Sequence, residues 1–183
     1  MIDLLEIEKS LISKHVKHGG TAVDFTMGNG HDTLWLSNAV GENGRVYAFD
    51  IQEQALRNTE QLLDGNARYR NYTLVLDSHA NAEKYVNGRI CAGLFNLGYL
   101  PGSDKTVTTM RQSTMCAVEA ALRLLDDDGG LLIAVYPGHE EGRLEGEMLE
   151  KYFSGLDRRK ICVSEFQIVN SPASPFFFLA EKK

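Results

Sequence analysis

The segment VDFTMGNGHDT, residues 23–33, stands where a short apolar stretch gives way to a helix-like stretch, and it decides the fold. Gly28 and Gly30 allow the backbone to turn sharply and to approach a ligand without a Cβ atom in the way. A helix that follows such a turn presents free amide donors. The segment therefore predicts a ligand-binding corner between a strand and a helix, although a tight connection without a ligand would have the same pattern.

Strand-like and helix-like stretches alternate around this corner. The strand-like stretches are short, apolar and rich in β-branched or aromatic residues, which is typical of buried parallel strands: TAVDF, RVYAFDI, YTLVL, ICAGLF and GLLIAVY. The helix-like stretches cover residues 32–40, 53–63, 80–85 and 108–125. Because crossover connections are right-handed, this alternation predicts a doubly wound parallel sheet with helices on both faces.

The two ends of the chain complete the fold prediction. At the start, apolar residues share one helical face, which predicts a leading helix that stops at Gly19 and Gly20. At the end, a helix-like stretch at 141–153 precedes two strands, ICVSEFQIV and PFFFLAEK, which only NSPAS separates, so they must be antiparallel. The expected fold class is α/β, a doubly wound, mostly parallel seven-stranded sheet with a C-terminal antiparallel hairpin. This arrangement resembles the Rossmann-like class I methyltransferases, whereas a dinucleotide dehydrogenase would continue with parallel strands.

Composition narrows the class of protein. The chain has 183 residues, of which 43% are hydrophobic, so residues 1–183 are expected to form a single domain with a full core. Cys91, Cys116 and Cys162 are far apart in apolar runs, which predicts reduced core thiols rather than disulfides or a metal knuckle. The amphipathic start of the chain predicts neither an export signal nor a membrane span. We therefore expect a soluble, cytoplasmic protein.

The net charge limits how this protein could bind nucleic acid. A formal charge of −6 argues against binding through the whole surface, because phosphate binding depends on Lys and Arg contacts. A local basic patch is compatible with this charge, and its candidates are Lys9, Lys14, Lys17, Arg158, Arg159 and Lys160. The same residues could equally be solvated surface charges.

Two carboxylates extend the candidate ligand site. Asp24 precedes the glycines, where it could accept a hydrogen bond, directly or through water, from the amino group of a methionine moiety. Asp50 ends the second strand, where an acidic residue that binds ribose hydroxyls is expected; it could instead cap the next helix. Thr33 occupies the third glycine position of a dinucleotide motif, so the segment favours S-adenosylmethionine, a ligand without phosphate.

The end of the third strand carries further candidates. Asp77, Ser78 and His79 follow it, at the carboxyl edge where open α/β sheets bind their ligands. They are candidates to border the adenine ring of the cofactor. Ser78 could equally cap the next helix, and His79 could be a loop residue that faces solvent.

The segment FNLGYLPG, residues 95–102, follows the fourth strand and is the candidate substrate site. It resembles the N-P-P-Y motif of amino methyltransferases, with Leu97 and Gly98 in place of the prolines. That resemblance implies that oxygens at Asn96 accept hydrogen bonds from a target amine and that Tyr99 packs on the substrate. The alternative is an Asx turn that begins at Asn96.

His139, in VYPGHEEG after the fifth strand, is the candidate general base. Methyl transfer from a sulfonium is a direct substitution, so alignment is the main requirement and no metal is expected. An aliphatic amine with a pKa of about 10 must lose a proton before it attacks, which a nearby acceptor assists. His139 could also be a loop histidine without a catalytic role.

Five segments in order, DFTMGNGHDT, VYAFDIQ, LDSHAN, FNLGYLPG and VYPGH, resemble the small bacterial family of rRNA methylases. Studied members of that family methylate 5-aminomethyl-2-thiouridine at the tRNA wobble position. The resemblance implies this substrate in the anticodon stem-loop, S-adenosylmethionine as the cofactor, and a loop at 96–102 that faces the nucleoside. The residues it implies for the cofactor are Asn29, Asp50, Gln52, Ser78 and His79. To these we add two candidates from the turn segment, Thr26 and Asp32.

The residues and the resemblance leave several functional hypotheses open. The first is the RNA methyltransferase just described, with ribosomal RNA as the alternative nucleic acid. The second is a methyltransferase for a small metabolite, which the acidic charge favours. The third is a non-catalytic subunit that binds the cofactor, against which Asn96 and the glycine turn argue. A homodimer is conceivable because one small subunit offers little area to hold an anticodon stem.

Overall fold

The computed structural model describes residues 4–100, 102 and 108–183, without the side chains of residues 4 and 5. Its helices are α1 (Leu4–Ile12), α2 (His31–Val40), α3 (Glu53–Asn66), α4 (Arg111–Leu124) and α5 (Glu140–Ser154), with a 3-10 helix at His79–Lys84. Its strands are β1 (Thr21–Asp24), β2 (Arg45–Asp50), β3 (Tyr72–Leu76), β4 (Ile90–Asn96), β5 (Leu125–Val135), β6 (Ile161–Phe166) and β7 (Phe176–Lys182).

The described strands form a seven-stranded sheet in the order β3-β2-β1-β4-β5-β7-β6. β1 pairs in parallel with β2 and β4, β2 pairs in parallel with β3, and β4 with β5. β7 pairs antiparallel with both β5 and β6, so it lies between them. The expected α/β sheet with a C-terminal antiparallel hairpin is therefore confirmed.

Alternation along the strands divides the core between the two faces of the sheet. Phe25, Phe49 and Phe95 lie on the face that α4, α5 and the 3-10 helix cover, and the rings of Phe25 and Phe95 stack at 4.3 Å. Ile12 of α1 and Leu36 of α2 belong to the apolar cluster on the opposite face. Both clusters reach the central strands, so helices on each side support the edge of the sheet that carries the site.

The first helix ends earlier than predicted. α1 stops at Ile12, well before Gly19 and Gly20. Beyond it, the Nδ1 atom of His15 lies 2.8 Å from the carbonyl oxygen of Asp128, at the start of β5. Because this contact turns the chain inward, tertiary packing rather than the glycine pair ends the helix.

Two other local predictions need correction. The stretch predicted as a helix at 80–85 is a 3-10 helix, because so short a segment closes bonds such as that from the Tyr85 amide to the Ala82 carbonyl. Cys91 is buried, but the prediction of a core thiol was wrong for Cys116, which α4 exposes to solvent. Among the described helices, none combines the length and the apolar character needed to cross a membrane.

Candidate active site

The carboxyl ends of the central parallel strands bring the predicted site residues to one edge of the sheet. Asp24 ends β1, Asp50 ends β2 and Asn96 ends β4. The backbone N–H of Asn96 donates to the Thr26 hydroxyl at 2.6 Å, which ties the end of β4 to the turn after β1. The residues assigned to the cofactor and to the substrate therefore meet at the same edge.

The glycine turn is held against α3. Gly28 has φ +53° and Gly30 has φ +84°, both in the left-handed region that favours glycine. A Cβ atom on Gly30 would lie 2.7 Å from the Thr59 hydroxyl oxygen, and this hydroxyl donates to the Gly28 carbonyl at 3.1 Å. Gly30 therefore serves the close approach of α3, and Thr59 fixes the shape of the turn.

Asp50 joins this turn to the second strand. Its two carboxylate oxygens accept hydrogen bonds from the Gly28 amide at 3.0 Å and from the Gln52 amide at 2.9 Å. Burial raises the pKa of Asp50, although these amide donors oppose the shift. The N-cap of α3 is Gln52, so the alternative in which Asp50 is that cap was wrong. Asp50 keeps unused acceptor capacity beside the turn, as a ribose-binding carboxylate needs.

Asp24 and Thr33 form a buried bond beneath the turn. Asp24 is fully buried and accepts from the Thr33 hydroxyl at 2.7 Å and from the Thr26 amide at 3.1 Å. Burial, and after it the charge of Asp32, raises the pKa of Asp24. In this arrangement both carboxylate oxygens of Asp24 hold the turn together. Thr33 occupies the third glycine position of a dinucleotide motif and is the partner of that bond.

A carboxylate sets the orientation of the Asn96 side chain. Its Nδ2 donates to Asp32 Oδ2 at 2.7 Å, and because a carboxylate only accepts, the nitrogen must face Asp32. Its Oδ1 is buried and has no hydrogen-bond partner among the residues that the structure describes. Asp32 also forms an ion pair with Lys9 of α1, in which the Lys9 ammonium lies 3.4 Å from Asp32 Oδ1. The Asx-turn alternative was wrong, since this side chain bonds to α2 and leaves one preset acceptor at the edge.

Tyr99 and His139 lie side by side near this acceptor. Their ring centroids are 6.1 Å apart, and Tyr99 is 38% exposed. His139 caps α5, because its Nδ1 accepts from the Gly142 amide at 3.1 Å. A neutral ring bonded in this way carries its proton on Nε2, which is buried and unpartnered within the described part of the chain. This geometry makes His139 a hydrogen-bond donor rather than the proton acceptor that the sequence suggested.

His79 and Ser78 border the other side of the glycine turn. The alternative of a solvent-facing loop histidine was wrong, because His79 is buried and its Nδ1 donates to the Phe25 carbonyl at 3.1 Å. Burial lowers the pKa of His79, so its neutral form presents Nε2 as an acceptor. Ser78 caps the 3-10 helix by accepting a hydrogen bond from the Ala80 amide at 3.3 Å, as expected if it caps the next helix.

Asn29 and Gln52 complete the predicted set around the turn. Asn29 Oδ1 accepts from the Asn58 Nδ2 of α3 at 2.8 Å, which anchors the tip of the turn. Gln52 is half-buried and makes no side-chain capping bond at the start of α3. The structure thus brings together the predicted residues from β1, β2 and β4, with Tyr99 and His139 at the neighbouring loops.

Comparison with known proteins decides the family. Residues 46–182 match the family described as "Putative rRNA methylase". The chain belongs to this family. A curated relative, the chloroplastic tRNA (mnm(5)s(2)U34)-methyltransferase of Arabidopsis thaliana, is 36% identical in an alignment of 178 positions that covers 92% of this chain and 65% of that protein. The chain therefore spans slightly less than two thirds of the length of this relative.

Solved structures place the chain in the same group. The "putative rRNA-methylase" from Clostridium thermocellum is 37% identical with a TM-score of 0.95, covering 100% of this chain and 99% of that one. A "putative methyltransferase" from Streptococcus mutans, solved in complex with SAH, is 35% identical with a TM-score of 0.90 and the same coverage. Aeropyrum pernix fibrillarin, at 17% identity over 96% of this chain and 74% of its own, shares the fold with a TM-score of 0.62. The class I methyltransferase fold expected from the sequence is confirmed.

Two buried carboxylates, Glu8 and Glu145, were not predicted from the sequence. Both lie on the core-facing side of an amphipathic helix: Glu8 is one turn before buried Ile12, and Glu145 lies one turn before buried Leu149. An acidic residue is rarely buried unless it is paired or functional. A carboxylate on an apolar helical stripe was therefore the signal that could have identified them.

Glu145 holds the loop after β4 in place. It is fully buried, and it accepts from the hydroxyls of Thr114 at 2.6 Å and Thr109 at 2.8 Å. The Thr109 hydroxyl in turn accepts from the Gly98 amide at 3.0 Å. Burial raises the pKa of Glu145. This chain of bonds connects α4 and α5 to the loop that carries Tyr99.

The basic residues suggested as a nucleic-acid patch do not gather around the site. Lys9 is at the site, where it pairs with Asp32. The Lys17 ammonium instead lies 3.4 Å from the Asp127 carbonyl at the start of β5. The run 158–160 precedes β6, which is parallel to β5, so it also lies at the amino edge of the sheet. Of the basic residues placed here, Lys9 is therefore the one that lies at the site.

Proposed function

We propose that this protein transfers a methyl group from S-adenosylmethionine to the amine of 5-aminomethyl-2-thiouridine at the wobble position of tRNA. The relative from Arabidopsis thaliana, whose name states a U34 methyltransferase, supports the substrate. The relative solved with SAH, the demethylated form of the cofactor, supports S-adenosylmethionine. The anticodon stem-loop would present the nucleoside to the loop at 96–102.

The observation that carries the proposal is the buried, unpartnered Oδ1 of Asn96. A buried acceptor without a partner costs about 1–3 kcal/mol, which a ligand N–H recovers when it donates there. The carboxylates of Asp32 and Asp24 lie nearby, and Lys9 is paired with Asp32. A negative potential of this kind favours a cationic amine over a neutral hydroxyl.

The residues at this edge fit the cofactor. The turn with Gly28 and Gly30 offers backbone without Cβ atoms, and Asp50 has lone pairs left for ribose hydroxyls. His79 presents Nε2 as an acceptor beside Phe95, at 5.7 Å between ring centroids. When bound, the cofactor supplies a methyl group on a positively charged sulfur.

Alignment is the main contribution of the chain itself. Thr26 ties β4 to the glycine turn, and Asp32 prevents the Asn96 amide from rotating. Rigid placement of two reacting groups can lower the activation free energy by about 7 kcal/mol. Tyr99 presents a partly exposed ring on which a base could stack. These residues orient the amine toward the methyl group without bonding to either covalently.

Replacing Asp50 with alanine should raise the Kd for S-adenosylmethionine by about 100-fold. The change removes the proposed ribose acceptor and leaves the Gly28 amide without its partner, and hydrogen bonds to charged groups contribute about 1.5–3 kcal/mol each. Isothermal titration calorimetry measures the affinity. Asp64→Ala, on the exposed side of α3, is the matched control and should bind normally. Wild-type affinity in Asp50→Ala would remove Asp50 from the cofactor site.

The substrate is tested with RNA from cells that lack this protein. Purified protein and labelled S-adenosylmethionine are incubated separately with bulk tRNA, ribosomal RNA and a metabolite extract from those cells. We expect label in tRNA alone, and nucleoside mass analysis should show one added methyl on the 5-aminomethylated wobble uridine. A tRNA whose wobble uridine lacks the aminomethyl group is the matched control.

Other outcomes of this experiment point to the alternative functions. Label in ribosomal RNA or in the extract, with none in tRNA, would contradict the proposed substrate. Calorimetry that detects a nicotinamide dinucleotide but no S-adenosylmethionine would contradict the cofactor as well.

A further inference from the structure

Glu8 is a buried carboxylate on α1 that bonds to none of the residues that the structure describes. It is 3% exposed on α1, yet it forms no hydrogen bond or ion pair with any residue in the described part of the chain. Buried carboxylates are otherwise paired or hydrogen-bonded, as Asp24 and Glu145 are here. The oxygens of Glu8 are not among the fully enclosed atoms that lack a partner, so they are open to a group that arrives from outside the chain.

The direction of α1 places Glu8 at the edge that carries the site. His15 packs against Gly130 and Asp128, near the start of β5. α1 ends at Ile12, and Glu8 lies one turn, about 6 Å, farther back along the helix and away from His15. The neighbouring Lys9 confirms this placement, because it pairs with Asp32 in the first turn of α2.

The charges that face Glu8 come from each element packed there. Asp32 of α2 and Asp24 of β1 are close enough for their charges to raise the pKa of Glu8, and Lys9 on its own helix opposes them. Tyr136, just after β5, feels the charges of Glu8 and Asp32, and its own pKa is raised chiefly by burial. The charge of Glu8 therefore interacts with that of Asp32, the residue that orients the Asn96 side chain.

The other acceptors near Asn96 are already committed, and the acceptors with lone pairs left, Asp50 and His79, lie at the glycine turn proposed for the cofactor. Asp24 bonds to Thr33 and Thr26, Asp32 bonds to Asn96 and Lys9, and the Nδ1 of His139 caps α5. An amine reaches the site mainly as an ammonium ion at neutral pH and has no lone pair until one proton is removed. Glu8 is the carboxylate that this elimination leaves for the task.

We propose that Glu8 accepts the proton of the substrate ammonium before methyl transfer, an inference that rests on the proposed function. The N–H electron pair stays on nitrogen while the proton moves to the Glu8 carboxylate. That pair forms the new N–C bond, and the electrons of the breaking C–S bond return to sulfur. The products are a methylated ammonium and SAH, and Glu8 then releases its proton to water.

The pKa of Glu8 suits this exchange. Burial raises it from 4.5 to about 8, with smaller contributions from Asp32 and Asp24. An alkylammonium has a pKa of about 10, so the proton moves between groups of similar strength rather than to an ordinary carboxylate. Because the folded-state pKa is raised, Glu8 favours the folded state below about pH 4.5, and this contribution is lost as the pH rises through about 8.

The test compares Glu8→Gln with Glu6→Gln, a control on the exposed face of the same helix. The rate of methyl transfer to tRNA with a 5-aminomethylated wobble uridine is measured from pH 6 to 10. We expect the wild-type rate to level off near pH 8. The rate of methyl transfer by Glu8→Gln should be about 100-fold below that of wild type at pH 7. It should keep rising as the pH approaches the pKa of the amine, so that the difference between the two rates narrows at pH 10.

Two further measurements separate catalysis from a structural or cofactor role. Calorimetry should give Glu8→Gln and wild type the same affinity for S-adenosylmethionine. Thermal unfolding should show Glu8→Gln gaining stability relative to wild type as the pH rises from 4.5 to about 8, because over that range only wild type must keep a carboxyl protonated in the folded state. An equal loss of rate at every pH, weakened cofactor binding, or a melting difference independent of pH would each overturn the proposal.

The outcomes also distinguish this inference from the proposed function. If wild type methylates the aminomethylated tRNA and Glu8→Gln matches it at pH 7, the role of Glu8 is wrong and the function stands. If wild type leaves that tRNA unmodified, the proposed function fails and the role of Glu8 fails with it.

Discussion

Methyl transfer by Asn96→Ala is expected to fall about 1,000-fold, while the affinity for S-adenosylmethionine stays within about threefold of wild type. The alanine removes the preset Oδ1 acceptor that orients the amine. It leaves the glycine turn intact, because that turn is held by Asp50, Asp24 and Thr59. A loss of this size corresponds to about 4 kcal/mol of transition-state stabilisation.

Single-turnover kinetics with saturating cofactor measure this loss, and calorimetry measures the affinity. The matched control is Asn87→Ala, which removes an exposed asparagine that bonds only weakly to the Tyr85 carbonyl, at 3.5 Å. It should behave as wild type. Unchanged turnover in Asn96→Ala would remove Asn96 from the mechanism, and equal losses of turnover and cofactor affinity would reassign it to cofactor binding.

Gly30→Ala is expected to destabilise the protein by about 3 kcal/mol and to abolish measurable cofactor binding. The new Cβ would lie 2.7 Å from the Thr59 hydroxyl oxygen and 3.0 Å from its Cα, which as a backbone atom cannot move aside alone. The left-handed φ of +84° adds about 1–2 kcal/mol for any residue with a Cβ, and overpacking adds about 1–3 kcal/mol. Relief of this contact would push α3 away from the turn.

Denaturant unfolding measures the stability of this variant. Gly65→Ala is the matched control, because Gly65 lies in α3 with open space around it and should gain up to about 1 kcal/mol in helix propensity. The double variant with Thr59→Ala should recover part of the loss, since it removes two of the crowded atoms. Wild-type stability in Gly30→Ala would show that the turn adapts and that Thr59 does not define it.

The architecture was predictable because its signals are local. Short apolar runs of β-branched and aromatic residues mark β1 to β5, and the short connection that contains NSPAS indicates that β6 and β7 are antiparallel. The pattern could not show that β7 inserts between β5 and β6. Strand order depends on which edges pair after the chain has turned, and both orders satisfy the same alternation.

The candidate site was predictable to the same degree. The glycine turn, Asp50 and Asn96 stand at strand ends, so their convergence follows from parallel topology. The function of His139 was harder to infer, because its capping bond to Gly142 depends on where α5 begins. The buried position of His79 was equally hard to infer, because its hydrogen-bond partner, the Phe25 carbonyl, is distant in sequence.

By itself the sequence determined the class of fold, the edge where ligands bind and the family, because each depends on the local order of residue types along the chain. Only the tertiary structure decided which polar atoms remain unpaired at that edge. Asn96 Oδ1 is left open because Asp32 takes the amide nitrogen, and Glu8 is buried on α1 without a bond to any of the described residues. Burial and pairing depend on neighbours brought together from distant segments, so no window of sequence contains them.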